Sequence, residues 1–374
     1  MLTILDESLP AELEAGGPYS EAVFAALAIC TQQIREGNHI LFAERTVYRR
    51  LRAFHHGLDA RSAATLIRAE ERLPQLGPIR DFAERAIRIV VAHQPDTLSR
   101  VLNGNRMEIL LPVTVIERHS SLLSPPLLMA ENLNDGECYL KLVQSIVNSG
   151  KWPELNWLRA VPLKCEIMPG GGNTLSNLFA YRKTEANRTG AAIADSDRRY
   201  PGSAYGETAA ALEKKAKAVP TSPLLEHYIL DVRTIENCIP RAELRSIAEE
   251  LDPNQLARFE QIEAQFSMSP HWRLVPIKSG VRCFDLGQAS AESVFWTQLF
   301  GERSCAPEDQ CAKKRDCKKY AVPPLSDQIL ARSVTRPGFF TVTERCMDGV
   351  ADSWRILVVL LYSLFCGSER VTVF

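Results

Sequence analysis

Two stretches decide the predicted fold: LLMAENLND at residues 127–135 and GAAIADSD at residues 190–197. Each begins with a short apolar run bounded by turn residues and continues directly into acids. Such runs are typical of buried strands in a parallel sheet. Ligands of open α/β sheets bind outside the carboxyl ends of the strands. The acids that follow the two runs are therefore predicted to meet at one crevice: Glu131, Asp195 and Asp197.

These acids predict a metal site. Side chains alternate along a strand, so Asp195 and Asp197 are predicted to point to one side and Ser196 to the other. Asp135, at the start of the next predicted helix, adds a further carboxylate. Such a cluster is unfavourable unless it is protonated or holds a hard divalent cation such as Mg²⁺. A divalent ion at a strand-end crevice favours phosphoryl chemistry.

The surrounding residues, 106–245, alternate between short apolar runs and amphipathic segments. This order of strand, helix and strand predicts a doubly wound parallel sheet and an α/β fold. The predicted strands are 107–116, 127–130, 162–168, 191–194 and 228–232. The predicted helices are 135–147, one that begins near 173, and 206–218.

The rest of the chain is predicted to form two further regions. Residues 1–105 are predicted to be a helical N-terminal region, because apolar residues recur there at helical spacing. Residues 246–374 are predicted to be a mixed C-terminal region. Helices are predicted in and beside that region at 241–266, 324–333 and 352–366, with a strand near 273–277. The apolar run in the last helix is too short to span a bilayer.

Composition limits the partners. The chain has 374 residues, 45% of them hydrophobic, and a net charge of -1, so a nucleic-acid binder would have to concentrate its basic residues locally. One basic cluster could grip a nucleic-acid backbone or simply be solvated: Lys313, Lys314, Arg315, Lys318 and Lys319. Three nearby cysteines at six-residue intervals do not have ordinary zinc-site spacing: Cys305, Cys311 and Cys317.

The acidic start, MLTILDESLPAELEAGG, lacks the features of a secretory signal. A cytoplasmic protein without a membrane partner is therefore expected. The oligomeric state stays open, and a homo-oligomer is one of the arrangements allowed.

Four segments, in this order, resemble the TOPRIM domain of OLD-type (overcoming lysogenization defect) nucleases, which occur among bacterial anti-phage defence proteins. They are MAENLND at 129–135, MPGGG at 168–172, ADSD at 194–197 and TIENC at 234–238. The resemblance covers about residues 126–240. The sequence departs from the family pattern at Asn132, Tyr200 and Cys238, which affects the expected turn geometry rather than the acids.

The resemblance implies a Mg²⁺-dependent (or Mn²⁺-dependent) endonuclease that cleaves DNA or RNA. In that role Asp195 and Asp197 would bind metal, and Glu131 would bind metal or act as general base. Asp135 would complete a second metal site, and Glu236 would be a further acid. OLD-like nucleases often work with an ABC-type ATPase, which a partner would have to supply because the sequence contains no G-x-x-x-x-G-K-[ST] motif.

Other interpretations remain. Lys278 follows a strand-like run and is predicted either to stabilise a pentavalent phosphate or to be solvated. An Asp-Ser-Asp motif also occurs in sugar-nucleotide-dependent glycosyltransferases, where it holds Mn²⁺, but this interpretation gives Glu131 no role. A third possibility is a non-catalytic adaptor with a TOPRIM-like fold that binds nucleic acid or an ATPase.

Overall fold

The computed structural model describes residues 1–92, 98–185, 187–218, 225–266, 269–300, 319–343 and 349–370. Within them the chain forms two sheets that are wholly or mainly parallel, together with a short antiparallel ribbon. The predicted α/β class is therefore confirmed.

The first sheet is built from residues before 113. Its strands are β1 (Leu2–Leu5), β2 (Ile40–Phe42), β3 (Arg85–Val90), β4 (Ser99–Asn103) and β5 (Arg106–Pro112). They lie in the order β2-β1-β3-β5-β4, and only the edge strand β4 is antiparallel to its neighbour. The helices of this region are α1 (Ser8–Ala15), α2 (Ser20–Arg35), α3 (Arg45–Arg52), α4 (Ala60–Glu71), α5 (Leu73–Leu76) and α6 (Ile79–Phe82).

The prediction of a helical N-terminal region is wrong, because a five-stranded sheet lies at its centre. The strands β1 and β2 are completely buried and only four and three residues long, so neither shows the alternation that marks a half-buried strand. The expected boundary at residue 105 also falls inside the sheet, between the paired strands β4 and β5.

The second sheet agrees closely with the prediction. It contains β6 (Leu127–Ala130), β7 (Glu166–Pro169), β8 (Gly190–Ala194) and β9 (Leu225–Ile229) in the order β7-β6-β8-β9, all parallel. The helices between them are α7 (Leu133–Ser149), α8 (Leu175–Glu185) and α9 (Glu207–Ala218). The strand predicted at 228–232 begins three residues earlier and ends at Ile229. Of the strand predicted at 162–168, only the last three residues belong to the edge strand β7.

The two faces of this sheet pack on different helices, as a doubly wound sheet requires. Met129 and Ala192 belong to a cluster with α8 and α9. Leu128 and Ile193, which are the strand neighbours of Met129 and Ala192, belong to the main core with α7. The alternation explains why both strands read as continuous apolar runs: each is covered on both sides.

The remaining residues are mixed, as predicted. They form α10 (Arg241–Leu251), α11 (Pro253–Phe266), β10 (Val281–Arg282), α12 (Ala291–Phe300), β11 (Tyr320–Val322), α13 (Ile329–Thr335) and α14 (Ala351–Phe365). The strand predicted near 273–277 is wrong. A 3-10 helix, Pro270–Leu274, includes the first two residues of that segment, and no strand follows at 275–277. The Ser269 side chain accepts a hydrogen bond from the His271 amide at the start of this helix.

The last helix joins the two sheets. α14 packs against α7, β3 and β8, and its buried side chains belong to the same core cluster as β1 and β6. Just beyond it, the Cys366 carbonyl accepts a hydrogen bond from the amino group of Met1, and the Gly367 amide donates to Pro162 at 2.8 Å. Across the described ranges, no helix combines the length and apolar character needed to cross a bilayer.

Gly190 allows β8 to lie beside β6. It pairs with Leu127, its φ is 154°, and a Cβ atom at this position would collide with the Leu127 carbonyl. Gly190→Ala is therefore expected to lower the free energy of unfolding by about 2 kcal/mol or more, because either the strand pair or the backbone must shift. Urea denaturation measures the change. Gly202→Ala is the control, since Gly202 has φ 80° and open space around it and should cost only about 1 kcal/mol. Equal losses in the two variants would contradict this account of the strand pair.

Candidate active site

Glu131 follows β6 directly, and the glycine turn after β7 holds its backbone. The amides of Gly171 and Gly172 donate to the Glu131 carbonyl at 2.8 and 3.2 Å, and the Gly170 amide donates to Ala130 at 2.7 Å. The Glu131 side chain is half-buried, and its Oε1 is shielded from solvent without a hydrogen-bond partner. The MPGGG segment therefore fixes the position of the first acid.

Asp195 follows β8, the strand next to β6, so the two acids lie at the same edge of the sheet. Its side chain is half-buried, and Oδ1 is shielded from solvent and accepts no hydrogen bond. Glu131 and Asp195 thus share an unusual property: each presents a buried carboxylate oxygen with no donor from the protein.

Asp197 differs from the prediction. β8 ends at Ala194, and Asp197 has a left-handed backbone with φ 50°, so strand alternation does not extend to this residue. Its amide donates to the Arg233 carbonyl at 2.9 Å, while the hydroxyl of the fully buried Ser196 donates to Val232 at 2.6 Å. The Asp197 side chain is exposed and lines an adjacent crevice.

The Asp135 side chain caps the start of α7. Its Oδ2 accepts hydrogen bonds from the amide and the side-chain nitrogen of Asn132, and the Asn132 Oδ1 accepts from the Asp135 amide, which completes a capping box. This arrangement stabilises the helix by itself. The Asp135 carboxylate therefore caps a helix in the structure, and this role competes with its predicted role as a ligand of a second metal ion.

Glu236 and Lys278 form an ion pair of 3.1 Å, and Glu236 is only 1% exposed. The turn that carries Glu236 is anchored next door, where Asn237 Nδ2 donates to the carbonyls of Trp272 and Val275, both at 2.9 Å. Lys278 therefore reaches into the acidic cluster through Glu236, which places it beside the predicted acids even though it lies far from them in the chain.

The acids raise one another's pKa values. Burial, followed by the charges of Asp135 and Asp197, raises the pKa of Glu131 to about 7. Burial raises the pKa of Asp135 to about 6, although Asn132 opposes the shift. For Asp195, burial and then the charge of Glu236 hold the pKa well above its usual value, and Lys278 opposes them. Burial alone would lower the pKa of Lys278, but the charges of the surrounding carboxylates raise it.

The donor chemistry fits a hard divalent cation, but not a closed protein cage. In the described part of the chain, no three His, Cys, Asp or Glu side chains are arranged to hold a metal ion by themselves. Mg²⁺ commonly uses one or two carboxylates and completes its shell with water and substrate phosphate. The unpartnered oxygens of Glu131 and Asp195 match that open kind of site.

A crevice of about 660 Å³ adjoins the carboxylates on the side of Asp197. Arg199 and Arg233 line it, and neither residue is among the functional residues predicted from the sequence. A signal existed for Arg199, because it lies two residues after the Asp-Ser-Asp segment. No local pattern marks Arg233, which is brought there by the turn after β9.

Most of the predicted nucleic-acid cluster lies outside the described residues, namely Lys313, Lys314, Arg315 and Lys318, as do Cys305, Cys311 and Cys317. Lys319 is described. It is exposed, and its carbonyl accepts a hydrogen bond from the Cys283 amide at 3.0 Å beside the β10–β11 ribbon.

No protein-family model, no curated protein and no solved structure matches this chain. The TOPRIM resemblance therefore remains a prediction from four sequence segments.

The raised pKa of Glu131 makes stability depend on pH. Between the ordinary pKa of 4.5 and about 7, the folded chain keeps a proton on Glu131 that the unfolded chain has lost. In a chelator, stability should therefore fall as pH rises through this range. Glu131→Gln should reduce that fall, leaving the variant about 1 to 2 kcal/mol more stable than the parent at pH 8.

Urea denaturation at pH 5 and pH 8 in EDTA measures the difference. Glu249→Gln, on an exposed position of α10, is the matched control and should keep the parent's pH dependence. A Glu131→Gln variant that loses as much stability as the parent between the two pH values would refute the electrostatic account of the cluster.

Proposed function

We propose that this protein is a divalent-metal-dependent nuclease that cleaves phosphodiester bonds of DNA or RNA. One observation carries the proposal: Glu131 and Asp195, which follow neighbouring parallel strands, each present a shielded carboxylate oxygen without a protein donor. Asp197, two residues beyond Asp195, lines a crevice that also contains Arg199 and Arg233. Acids at the carboxyl ends of parallel strands are where an α/β fold forms its ligand site.

Mg²⁺ or Mn²⁺ would be held by Glu131 and Asp195, with Asp197 within reach at the crevice. When bound, such an ion supplies Lewis-acid stabilisation of the charge that develops at phosphorus. Without a cation, the buried carboxylates of the site repel one another, and Lys278 balances only part of their charge. A cation is the ligand that relieves this repulsion most directly.

The chain's own residues have distinct roles in this proposal. Glu131 would either hold the ion as an ionised carboxylate or take a proton from an attacking water. In the metal-free site its pKa lies near 7, close to the working pH at which a general base is most effective. Lys278 is a positioning residue that holds Glu236 and moderates the charge of the acids. Asp135 keeps the first turn of α7 in register behind Glu131.

The resemblance to OLD-type nucleases supports the same chemistry and extends it to anti-phage defence. It also suggests that a separate ABC-type ATPase controls the activity. The crevice and its arginines support a polyanionic substrate, but they are compatible with either DNA or RNA.

Asp195→Asn tests the proposal. The purified full-length protein should nick supercoiled plasmid or cut tRNA with Mg²⁺ or Mn²⁺ and not with EDTA. Removing the Asp195 charge should lower the rate on the order of 100-fold or more, because it removes a metal ligand. Gel electrophoresis of timed reactions provides the measurement.

Asp81→Asn is the matched control, since Asp81 is exposed on α6 and its substitution should leave the rate unchanged. A parent protein that cleaves neither nucleic acid with either metal would reject the proposal. So would an Asp195→Asn variant that cleaves at the parental rate. Saturable binding of a sugar nucleotide in place of nucleic acid would favour the glycosyltransferase alternative.

A further inference from the structure

The crevice beside Asp197 has the features of an anion site. It encloses about 660 Å³, and the charged side chains in its lining are those of Arg199, Arg233, Asp197 and Glu207. Arg199 lies at the exposed rim with two thirds of its side chain accessible, whereas the Arg233 side chain is only 15% exposed. One guanidinium is therefore fixed at depth and the other is free to adjust at the mouth.

Arg233 is held firmly by its backbone. Its amide donates to the Arg273 carbonyl at 2.7 Å, and its carbonyl accepts from the Asp197 amide at 2.9 Å. Its Nη1 is shielded from solvent and makes no hydrogen bond. A buried guanidinium nitrogen without an acceptor is costly unless a ligand supplies one.

Glu292, on α12, is the one acid among the described residues that lies within 4.0 Å of both guanidinium groups. Its Oε2 lies 3.3 Å from Arg199 Nη1, and its Oε1 lies 4.0 Å from Arg233 Nη1. The second distance is too long for a hydrogen bond, so the carboxylate satisfies Arg199 but leaves Arg233 incomplete. A carboxylate and a phosphodiester each carry one negative charge and two acceptor oxygens, and a guanidinium can bind either through a pair of hydrogen bonds.

We infer that Arg199 and Arg233 form a binding site for a backbone phosphate of nucleic acid, and that Glu292 occupies this site as an internal competitor. The inference deepens the proposed function and rests on it for the identity of the ligand. Asp197 and the first two residues of α9, Glu207 and Thr208, line the same crevice, so the bound phosphate would be a neighbour of the phosphate attacked beside Asp197.

The formal charges explain why Glu292 would lower the affinity of the crevice for a polyanion. The two arginines are balanced by Asp197 and Glu207 within the lining, and Glu292 makes the set negative by one charge. Removal of the Glu292 charge would make the site neutral, and a divalent cation held by Glu131 and Asp195 would then add positive charge beside it. The α12 carboxylate thus lowers the affinity for a polyanion most strongly before a metal ion is bound.

Binding of a fluorescein-labelled single-stranded oligonucleotide, as DNA and as RNA, tests the inference by fluorescence anisotropy in EDTA with the full-length protein. Glu292→Gln should increase the affinity about tenfold, because it removes a competing charge and keeps the side-chain shape. Arg233→Met should decrease it by about the same factor, and the exposed Arg199→Gln should decrease it about fivefold. In the double variant Arg233→Met with Glu292→Gln, most of the gain from Glu292→Gln should disappear.

Glu14→Gln is the matched control. It removes the same charge from a Glu–Arg pair, that of Glu14 with Arg50 at 2.6 Å, which lies outside the crevice lining. The affinity of Glu14→Gln for the oligonucleotides should equal that of the parent. Equal affinities for Glu292→Gln and Glu14→Gln would overturn the inference, as would a gain for Glu292→Gln that persists fully without Arg233. A gain seen for an acidic peptide but not for the oligonucleotides would also overturn it.

This experiment separates the two proposals because it needs neither metal nor cleavage. A tenfold gain for Glu292→Gln in a protein that never cleaves nucleic acid would support the phosphate site and reject the nuclease. The opposite outcome is metal-dependent cleavage together with an oligonucleotide affinity that substitutions of Glu292, Arg199 and Arg233 leave unchanged. That outcome would support the nuclease and reject the phosphate site.

Discussion

The repulsion between carboxylates at the carboxyl edge of the second sheet is the constraint on which the rest of the structure depends. The parallel pairing of β6 with β8 brings Glu131 and Asp195 to one edge, and the glycine turn and the buried Glu236 turn fix their surroundings. Lys278 opposes the resulting charge only in part. Buried acids with strongly raised pKa values are typical of sites that bind a cation or transfer a proton.

Sequence patterns predicted the second sheet well and the first sheet poorly, for a physical reason. The apolar runs before Glu131 and Asp195 are bounded by proline or glycine and lie between segments with a strong helical pattern. The sequence therefore predicts the length and position of these two strands. β1 and β2 are equally buried and no longer than β6, and the amphipathic helices around them dominate the pattern. The pairing of β1 with β2 and with β3 depends on contacts that are distant in sequence, which periodicity does not report.

The site was predictable where it follows from sheet geometry and unpredictable where it follows from side-chain partners. The adjacency of Glu131 and Asp195 follows from the strand order. The capping role of Asp135, the left-handed turn at Asp197 and the pairing of Lys278 with Glu236 are local choices among several that the sequence allows. Glu292 approaches Arg199 across 93 positions of the chain, so no motif could reveal it.

The most direct measurement is anomalous X-ray scattering from crystals of this protein soaked with Mn²⁺ near neutral pH. The account predicts an anomalous peak at the edge of the second sheet, within bonding distance of carboxylate oxygens of both Glu131 and Asp195, and its loss in crystals of Asp195→Asn. Crystals that show ordered carboxylates and no peak there at saturating Mn²⁺ would contradict the central claim, because the acids would then be stable as a protonated cluster without a metal.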